Sequence, residues 1–211
     1  MASSVQQKRI RKSPSDRRAE IVEAAASIAL TEGLECITLR RMAEELGVRP
    51  GLIGHYFPAV EELVAEAFGT AAGGELDSLL PAQPAAQRPT DRLTRFFALA
   101  TGPAYDDVSR LWINARHLSR YRPVLRDRVD RQEARWRGRL EELIRAGAES
   151  GEFRTDDPYL ATIRILVVID GLGAHANSSA AERPEAVTSM AVRTAERELG
   201  LADGALGTPG S

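Results

Sequence analysis

Apolar residues recur every three or four positions along most of this chain, and no segment alternates apolar and polar residues with period two. The first such segment runs from Ser13 to Gly33, with Ile21, Ala25 and Ile28 on one face. This spacing predicts an amphipathic helix. A serine followed by a proline is typical of a helix start, and a glycine is typical of a helix end. The pattern therefore predicts an all-α protein without strands.

Proline and glycine divide the remaining periodic stretches into further helices. We expect these helices near residues 59–73, 90–101, 111–118, 123–150, 157–176 and 184–200. Residues 81–89 are rich in proline and are expected to form a loop. Residues 201–211 present no apolar face and are expected to form a disordered tail. The chain is thereby divided into a head of residues 1–58, a helical body of residues 59–200 and this tail.

Residues 39–56 (LRRMAEELGVRPGLIGHY) have the spacing of a helix-turn-helix. Ala43 is small where the two helices cross, and Gly47 supplies the positive φ that the turn between them requires. Thr38 is placed to cap the first helix, and Pro50 is placed to open the second. An ordinary helical hairpin would share some of these features, but all of them together favour DNA binding.

The residues on either side extend this pattern. Residues 17–68 resemble the DNA-binding domain of TetR-family transcriptional regulators. The matching features are Ile21, Ala24, Ala25, Gly33, residues 37–40 (ITLR), 43–48 (AEELGV) and 55–58 (HYFP), and Glu62-Leu63. Residues 141–154 and 157–172 look most like the BetI-type branch. The resemblance implies an N-terminal three-helix DNA-binding head followed by a C-terminal helical body for ligand binding and dimerisation.

The resemblance also implies that DNA contacts lie at the start of the first motif helix and along the second. The positions that match are Thr38, Arg40, Arg49, Pro50, Gly51, Leu52, Gly54, His55 and Tyr56. The first residues of the second helix would face base edges in the major groove. Gly54 stands where the family usually has tyrosine, and Val60 stands where it often has lysine. Base preferences therefore cannot be copied from relatives.

Charge is distributed unevenly along the chain. The whole chain has a net charge of −2, yet residues 1–18 hold six lysines and arginines against one aspartate. Such a basic segment can lie along DNA phosphates or reach into the minor groove as a mobile arm. It is equally compatible with an inert, solubilising tail.

Composition and motifs argue against several other classes of protein. Hydrophobic residues at 43% and charged residues at 27% are typical of a soluble globular chain. The single cysteine excludes a disulfide framework and, because the histidines are widely spaced, makes a zinc site implausible. No phosphate-binding loop or nucleophile elbow is present, so we expect neither an enzyme nor a cofactor. Without a signal peptide or an apolar run of ~18 residues, we expect a cytoplasmic protein.

Aromatic and polar residues on the first helices of the body form a candidate effector pocket. These residues are Phe68, Phe97, Leu111, Trp112, Asn114, Arg116 and His117. Small-molecule pockets are mostly apolar with a few polar groups, and Arg116 would suit an anionic ligand. The same aromatic residues could instead form an ordinary packed core.

Small and apolar residues on the last two helices predict a homodimer interface. These residues are Ile163, Leu166, Val167, Asp170, Gly171, Ala174, Val187, Met190, Ala191 and Thr194. Small side chains permit helices from two subunits to approach closely and form a four-helix interface, a pairing that the resemblance also implies. A monomer that buries this surface internally is the alternative.

Together with the resemblance, these patterns predict a homodimeric repressor that binds a palindromic double-stranded DNA operator and is released by a small-molecule effector. An activator or a ligand-insensitive regulator would share the same features. Outside this class, the alternative is a helical ligand-binding protein or an enzyme that has lost operator binding.

Overall fold

The computed structural model describes residues 13–82, 87–101, 104–178 and 184–207, and these form ten α-helices and no strand. In chain order the helices are α1 (Pro14–Thr31), α2 (Leu39–Leu46), α3 (Pro50–Tyr56), α4 (Val60–Leu79), α5 (Pro89–Ala100), α6 (Ala104–Ser119), α7 (Pro123–Glu149), α8 (Pro158–Ser178), α9 (Glu185–Thr188) and α10 (Met190–Glu198). A short 3-10 turn, Leu34–Cys36, separates α1 from α2. The predicted all-α architecture, with a three-helix head and a helical body, is confirmed.

The helix-turn-helix forms as its local stereochemistry predicts. The Thr38 hydroxyl accepts a hydrogen bond from the Arg41 backbone N–H at 3.1 Å and caps α2. Gly47 follows α2 with φ +62°, a left-handed conformation that a Cβ would strain. Pro50 then opens α3, where no intrahelical N–H bond is lost.

The head and the body share one continuous core. Met42, Ile53 and Phe57 are fully buried where α2 and α3 pack on α1. The long helix α4 packs along α1 at its start and along α7 further on. Because α4 crosses from the head into the body without a break, a displacement in the body can be transmitted to the head.

Helix α8 is the most apolar of the long helices. Its residues 158–177 have a mean hydropathy of 1.4 and meet the length and composition of a membrane span, which the sequence was not expected to contain. The helix packs against α6, α7 and α10, yet only 28% of that window is buried within the chain. An apolar face of α8 therefore stays on the surface of the subunit.

The end of the chain differs from its prediction. Residues 201–207 are not a disordered tail, because Leu206 is only 1% exposed and its backbone N–H donates to Glu196 at 3.1 Å. The buried Leu206 side chain and the hydrogen bond to the buried Glu196 carboxylate keep this segment in place. Two such contacts produce no periodic pattern in the sequence, so the sequence did not predict them. The expected last helix is divided at Ser189 into α9 and α10. Residues 1–12 and 208–211 lie outside the described residues. The expected basic arm and the last four residues of the expected tail fall within these two ranges.

Candidate DNA-binding surface and effector cavity

The sequence-predicted DNA contacts lie together around the two motif helices. Thr38 and Arg40 are exposed at the start of α2, and Arg49 is exposed immediately before α3. Along α3, the exposed positions are Pro50, Gly51 and His55, and the half-buried positions are Leu52, Gly54 and Tyr56. The surface thus combines a short helix with backbone that bulky side chains do not cover.

The two exposed arginines of this surface differ in their surroundings. Arg40 is 87% exposed and pairs with Glu44 one turn later on α2 at 2.9 Å. The Arg49 side chain makes no hydrogen bond or ion pair with any described residue, although its backbone carbonyl accepts from the Leu52 N–H at 2.9 Å. Arg49 can therefore reach a phosphate or a guanine without first leaving an intramolecular partner, whereas Arg40 must leave Glu44.

The two glycines of α3 face different surroundings. A Cβ at Gly51 would meet nothing within 4 Å, whereas a Cβ at Gly54 would lie 3.6 Å from Cδ1 of Leu39. Gly54 therefore points towards α2, and the distance is ordinary van der Waals contact. The departure from tyrosine at this position leaves the fold of the motif intact.

The described part of the head carries little free positive charge. Residues 13–58 hold five arginines and seven acidic residues. Arg18 pairs with Glu66 of α4 through both terminal nitrogens and stacks on Phe57 with its guanidinium carbon 4.6 Å from the ring centre. This long-range pairing removes Arg18 from the basic segment that the sequence suggested for DNA. The four lysines and arginines of residues 1–12 are thus the largest remaining source of positive charge in the head.

A cavity of about 170 Å³ lies between α6, α7 and α8. Its lining residues are Tyr105, Trp112, Arg116, Glu133, Trp136, Arg137, Ile163, Leu166, Val167, Ile169 and Asp170. An engineered cavity of ~150 Å³ holds a ligand the size of benzene, so this volume suits a small molecule of similar size. Of the residues predicted to form a pocket, only Trp112 and Arg116 line this cavity.

The other predicted pocket residues have structural positions instead. Phe68 lies behind the cavity, edge-on to Trp112 with ring centres 5.1 Å apart, and Phe97 is buried against Phe96. His117 is exposed and contacts the ring of Tyr121. Their aromatic character reflects core packing or surface position, which was the alternative left open by the sequence.

Leu111 and Asn114 lie at the junction between the body and the head. The side-chain oxygen of Asn114 accepts from the Leu34 backbone N–H at 3.0 Å, and its side-chain nitrogen donates to Glu35 at 2.7 Å. Leu111 and Asn114 line a separate cleft against the end of α1. Asn114 therefore holds the 3-10 turn that precedes the DNA-binding motif, and neither residue lines the α6–α7–α8 cavity.

Glu75 does not line the cavity itself but lies against its aromatic lining residues. The Trp112 indole N–H donates to Glu75 Oε2 at 2.8 Å, while Oε1 is buried without a hydrogen-bond partner among the described residues. Burial raises the pKa of Glu75 to about 7, although the nearby Trp112, Tyr105 and Trp136 donors favour its ionised form. Burial also raises the pKa of Tyr105 well above its ordinary value. The protein therefore holds a poorly solvated carboxylate next to the aromatic wall of the cavity.

Glu75, Tyr105 and Trp136 were not predicted as site residues from the sequence. A signal was present on α4, where Phe68, Ala72, Glu75 and Leu79 follow one helical stripe and only one of the four is charged. An acid on an apolar stripe is rarely buried without a partner, which makes such a position a candidate site.

The predicted dimer residues divide into outward-facing and buried sets. Val167 is 63% exposed and Met190 is 47% exposed, and Asp170, Gly171 and Ala174 are exposed as well. The half-buried members are Ile163, Leu166, Val187 and Thr194. Ala191 is fully buried within the subunit, so it cannot form the outer face of α10 and its assignment is wrong. Ile163, Leu166, Val167 and Asp170 also line the cavity, which places the cavity beside the outward face of α8.

The described residues contain no group of three histidine, cysteine, aspartate or glutamate side chains arranged to hold a metal ion.

Comparisons with known proteins agree with this architecture. Residues 89–200 match the C-terminal domain of the BetI-type transcriptional repressors. No curated protein matches the chain.

Solved structures of regulators share the fold. A protein from Saccharomonospora viridis, described as a transcriptional regulator in complex with choline, is 23% identical, with a TM-score of 0.74 over 88% of this chain and 98% of its own. A TetR-family protein from Rhodococcus sp. is 23% identical, with a TM-score of 0.72 over 88% of this chain and 99% of its own. A TetR transcription regulator from Haloarcula marismortui is 22% identical, with a TM-score of 0.71 over 88% and 97%.

The family match covers more than half of the chain, and the helix-turn-helix head precedes it in the expected order. The chain belongs to the TetR family of DNA-binding transcriptional regulators, with a BetI-type body, and is not an enzyme.

Proposed function

We propose that this protein is a cytoplasmic homodimeric repressor that binds a palindromic operator and is released by a small organic cation. Operator recognition is assigned to α3, dimerisation to the outward face of α8, and effector binding to the cavity beside Glu75. The observation that carries the effector assignment is the buried Glu75 carboxylate, which lies among aromatic side chains with one oxygen unpaired.

Three features support DNA binding by α3. Arg49 is exposed immediately before α3, and its side chain has no intramolecular partner among the described residues. Gly51 allows the backbone of α3 to approach a phosphate closely. Two heads related by a two-fold axis would enter successive major grooves, which explains why a palindromic operator is expected.

The exposed apolar face of α8 supports a homodimer. Val167 and Leu160 expose large apolar side chains on a helix whose other side packs in the core. Gly171 and Ala174 on the same face permit a second helix to approach closely. A second copy of the chain would bury this face against an identical one, as a two-fold interface requires.

The chemistry of the cavity favours a cation over an anion. Two carboxylates (Glu133 and Asp170) line it with two arginines (Arg116 and Arg137), and the buried Glu75 carboxylate lies next to it, bonded to Trp112. Aromatic faces such as those of Trp112 and Trp136 attract organic cations, and a quaternary ammonium needs no hydrogen-bond acceptor. The choline complex of the Saccharomonospora viridis protein, which shares the fold, is consistent with a ligand of this class.

Effector binding and the head meet on one helix. Trp112 lines the cavity and Asn114, two residues later on α6, holds the 3-10 turn of the head. A ligand that moves α6 would therefore change the position of the head and the spacing of the two recognition helices. Such coupling is limited to the ligand's preference for one conformation, typically ~1–3 kcal/mol.

A gel shift with DNA from upstream of the protein's own gene tests operator binding. We expect a complex that survives excess nonspecific DNA, and we expect Arg49→Ala to weaken it by ~1–3 kcal/mol. Arg145→Ala is the matched control, because Arg145 is exposed on α7 and paired with Glu141 one turn earlier, far from the head along the chain. Operator recognition would be contradicted if excess nonspecific DNA removed the complex equally well for the wild type and for both variants.

A further inference from the structure

Arg116 contacts three of the residues that line the effector cavity. Its Nε donates to Glu133 of α7 at 2.9 Å, and its Nη2 donates to Asp170 of α8 at 2.9 Å. Its guanidinium carbon lies 5.2 Å from the ring centre of Trp112. One cationic side chain of α6 is therefore held by an aromatic ring and by carboxylates from two other helices.

These contacts are the ones that an organic cation would seek in the cavity. Aromatic rings attract cations through their quadrupole, and carboxylates attract them through charge. The guanidinium uses a ring and two carboxylates that are all part of the lining. Because Nε and one Nη are already bonded to acids, Arg116 is a poor receptor for an anionic ligand, which the sequence had suggested.

An organic cation that entered the cavity would lie close to the Arg116 guanidinium, which forms part of the cavity wall. Like charges a few ångströms apart repel far more strongly in a protein interior than in water. A bound ammonium and the Arg116 guanidinium would therefore compete for the same ring and for the Asp170 carboxylate.

We propose that Arg116 is an internal competitor of the effector. Its guanidinium occupies the Trp112 ring and the Asp170 carboxylate, and a cationic effector binds by taking over these contacts. This inference rests on the proposed function, in which the effector is an organic cation. It also assigns a consequence to binding, because displacement of Arg116 breaks its links from α6 to α7 and α8.

Calorimetry with tetramethylammonium chloride tests the competition in the full-length protein. We expect Arg116→Ala to bind this probe about tenfold more tightly than the wild type, since one cation–π contact and an exposed ion pair no longer have to be broken. Arg110→Ala is the matched control, because Arg110 lies on the same helix and pairs with Asp107 on the surface. Its affinity should equal that of the wild type.

A second measurement uses methylguanidinium, an analogue of the deleted Arg116 head group, as the probe. Methylguanidinium should bind Arg116→Ala and compete there with tetramethylammonium, whereas the wild type should bind methylguanidinium more weakly. If Arg116→Ala does not give the helical circular-dichroism spectrum of the wild type, Arg116→Gln replaces it, since glutamine can still donate to one carboxylate without carrying a charge.

The outcomes separate this inference from the proposed function. Tighter probe binding by the variant supports the competition, whether wild-type binding is weak or below detection. If the wild type binds tetramethylammonium and Arg116→Ala binds it equally well or more weakly, the competition is overturned. Such a result would still support a cationic effector. If neither protein binds tetramethylammonium, the cationic effector fails and this inference fails with it.

Discussion

Glu75 shows how much a single residue depends on its three-dimensional surroundings. The residue lies on α4, but Trp112 and Tyr105 come from α6 and Trp136 comes from α7. The stripe on α4 could have identified Glu75 as an unusual acid. The aromatic partners could not be predicted, because helix-packing registers between distant segments are not encoded in local periodicity. Asn114 and Arg116 were named from the sequence, but their partners in the head and on α7 and α8 were not.

Replacing Glu75 with glutamine should weaken cation binding and remove its dependence on pH. The wild type should bind choline about tenfold more tightly at pH 8 than at pH 6, because Glu75, with a pKa of about 7, loses its proton over this range. Glu75→Gln keeps an acceptor for Trp112 but has no charge, so its affinity should be lower at pH 8 and constant with pH. Calorimetry at both pH values measures this. Equal pH profiles for the two proteins would exclude Glu75 as the counter-ion.

The same substitution should alter stability in a predictable direction. The pKa of Glu75 is raised in the folded protein from 4.5 to about 7, so the folded state retains a proton that the unfolded state has already lost. Stability therefore falls as the pH rises from ~4.5 to ~7, by up to ~3 kcal/mol for this group. Glu75→Gln should lack this loss, and denaturant unfolding at pH 5 and pH 8 compares the two proteins.

Helices were predicted well because their ends carry local signals. Ser13, Thr38 and Gly47 act at the expected positions through hydrogen bonds and backbone conformation that depend on near neighbours alone. Predictions were wrong where tertiary contacts override local preference. Helix α4 continues past Gly73 and Gly74 to Leu79 because it packs along α7.

The two glycines of α3 provide a prediction at the scale of this element. Gly51→Ala and Gly54→Ala should each stabilise the short helix by ~0.5–1 kcal/mol, because alanine restricts the unfolded chain and both sites have room for a methyl group. Operator affinity should fall for Gly51→Ala, whose methyl group points to open space, and should change little for Gly54→Ala, which contacts Leu39. Thermal unfolding and gel shifts measure both effects. An equal loss of affinity in the two variants would argue against a close backbone approach at Gly51.

At the scale of the whole molecule, the described part of one subunit contains one proposed recognition helix, α3, of seven residues. Tight specific binding therefore depends on pairing two heads at a fixed spacing. The division into an N-terminal head and a helical body was predictable from the family motifs, and the apolar character of α8 was visible in the sequence. The cavity beside the outward face of α8 could not be predicted, because it depends on the relative positions of α6, α7 and α8.

Gly171→Arg tests the assignment of the outward face of α8 as the interface. A Cβ at Gly171 meets nothing within 4 Å in the subunit, so the subunit should fold while charge and bulk oppose the second copy. Sedimentation should show a monomer with weak, nonspecific DNA binding. Gly74→Arg on α4 is the matched control, since its Cβ is equally unobstructed, and it should remain a dimer. A dimeric Gly171→Arg that still binds the operator would place the interface elsewhere.

Fluorescence anisotropy of the full-length protein on its operator, titrated with choline and with its neutral carbon isostere 3,3-dimethylbutan-1-ol, tests the central claim most directly. The two ligands have nearly the same shape, and only choline carries the positive charge that Glu75 and the aromatic rings would recognise. We expect choline to release the operator and the neutral isostere to leave the complex intact at the same concentrations. Release by both ligands would show that charge is not recognised. A stable complex with both would contradict a regulator released by an organic cation of this size.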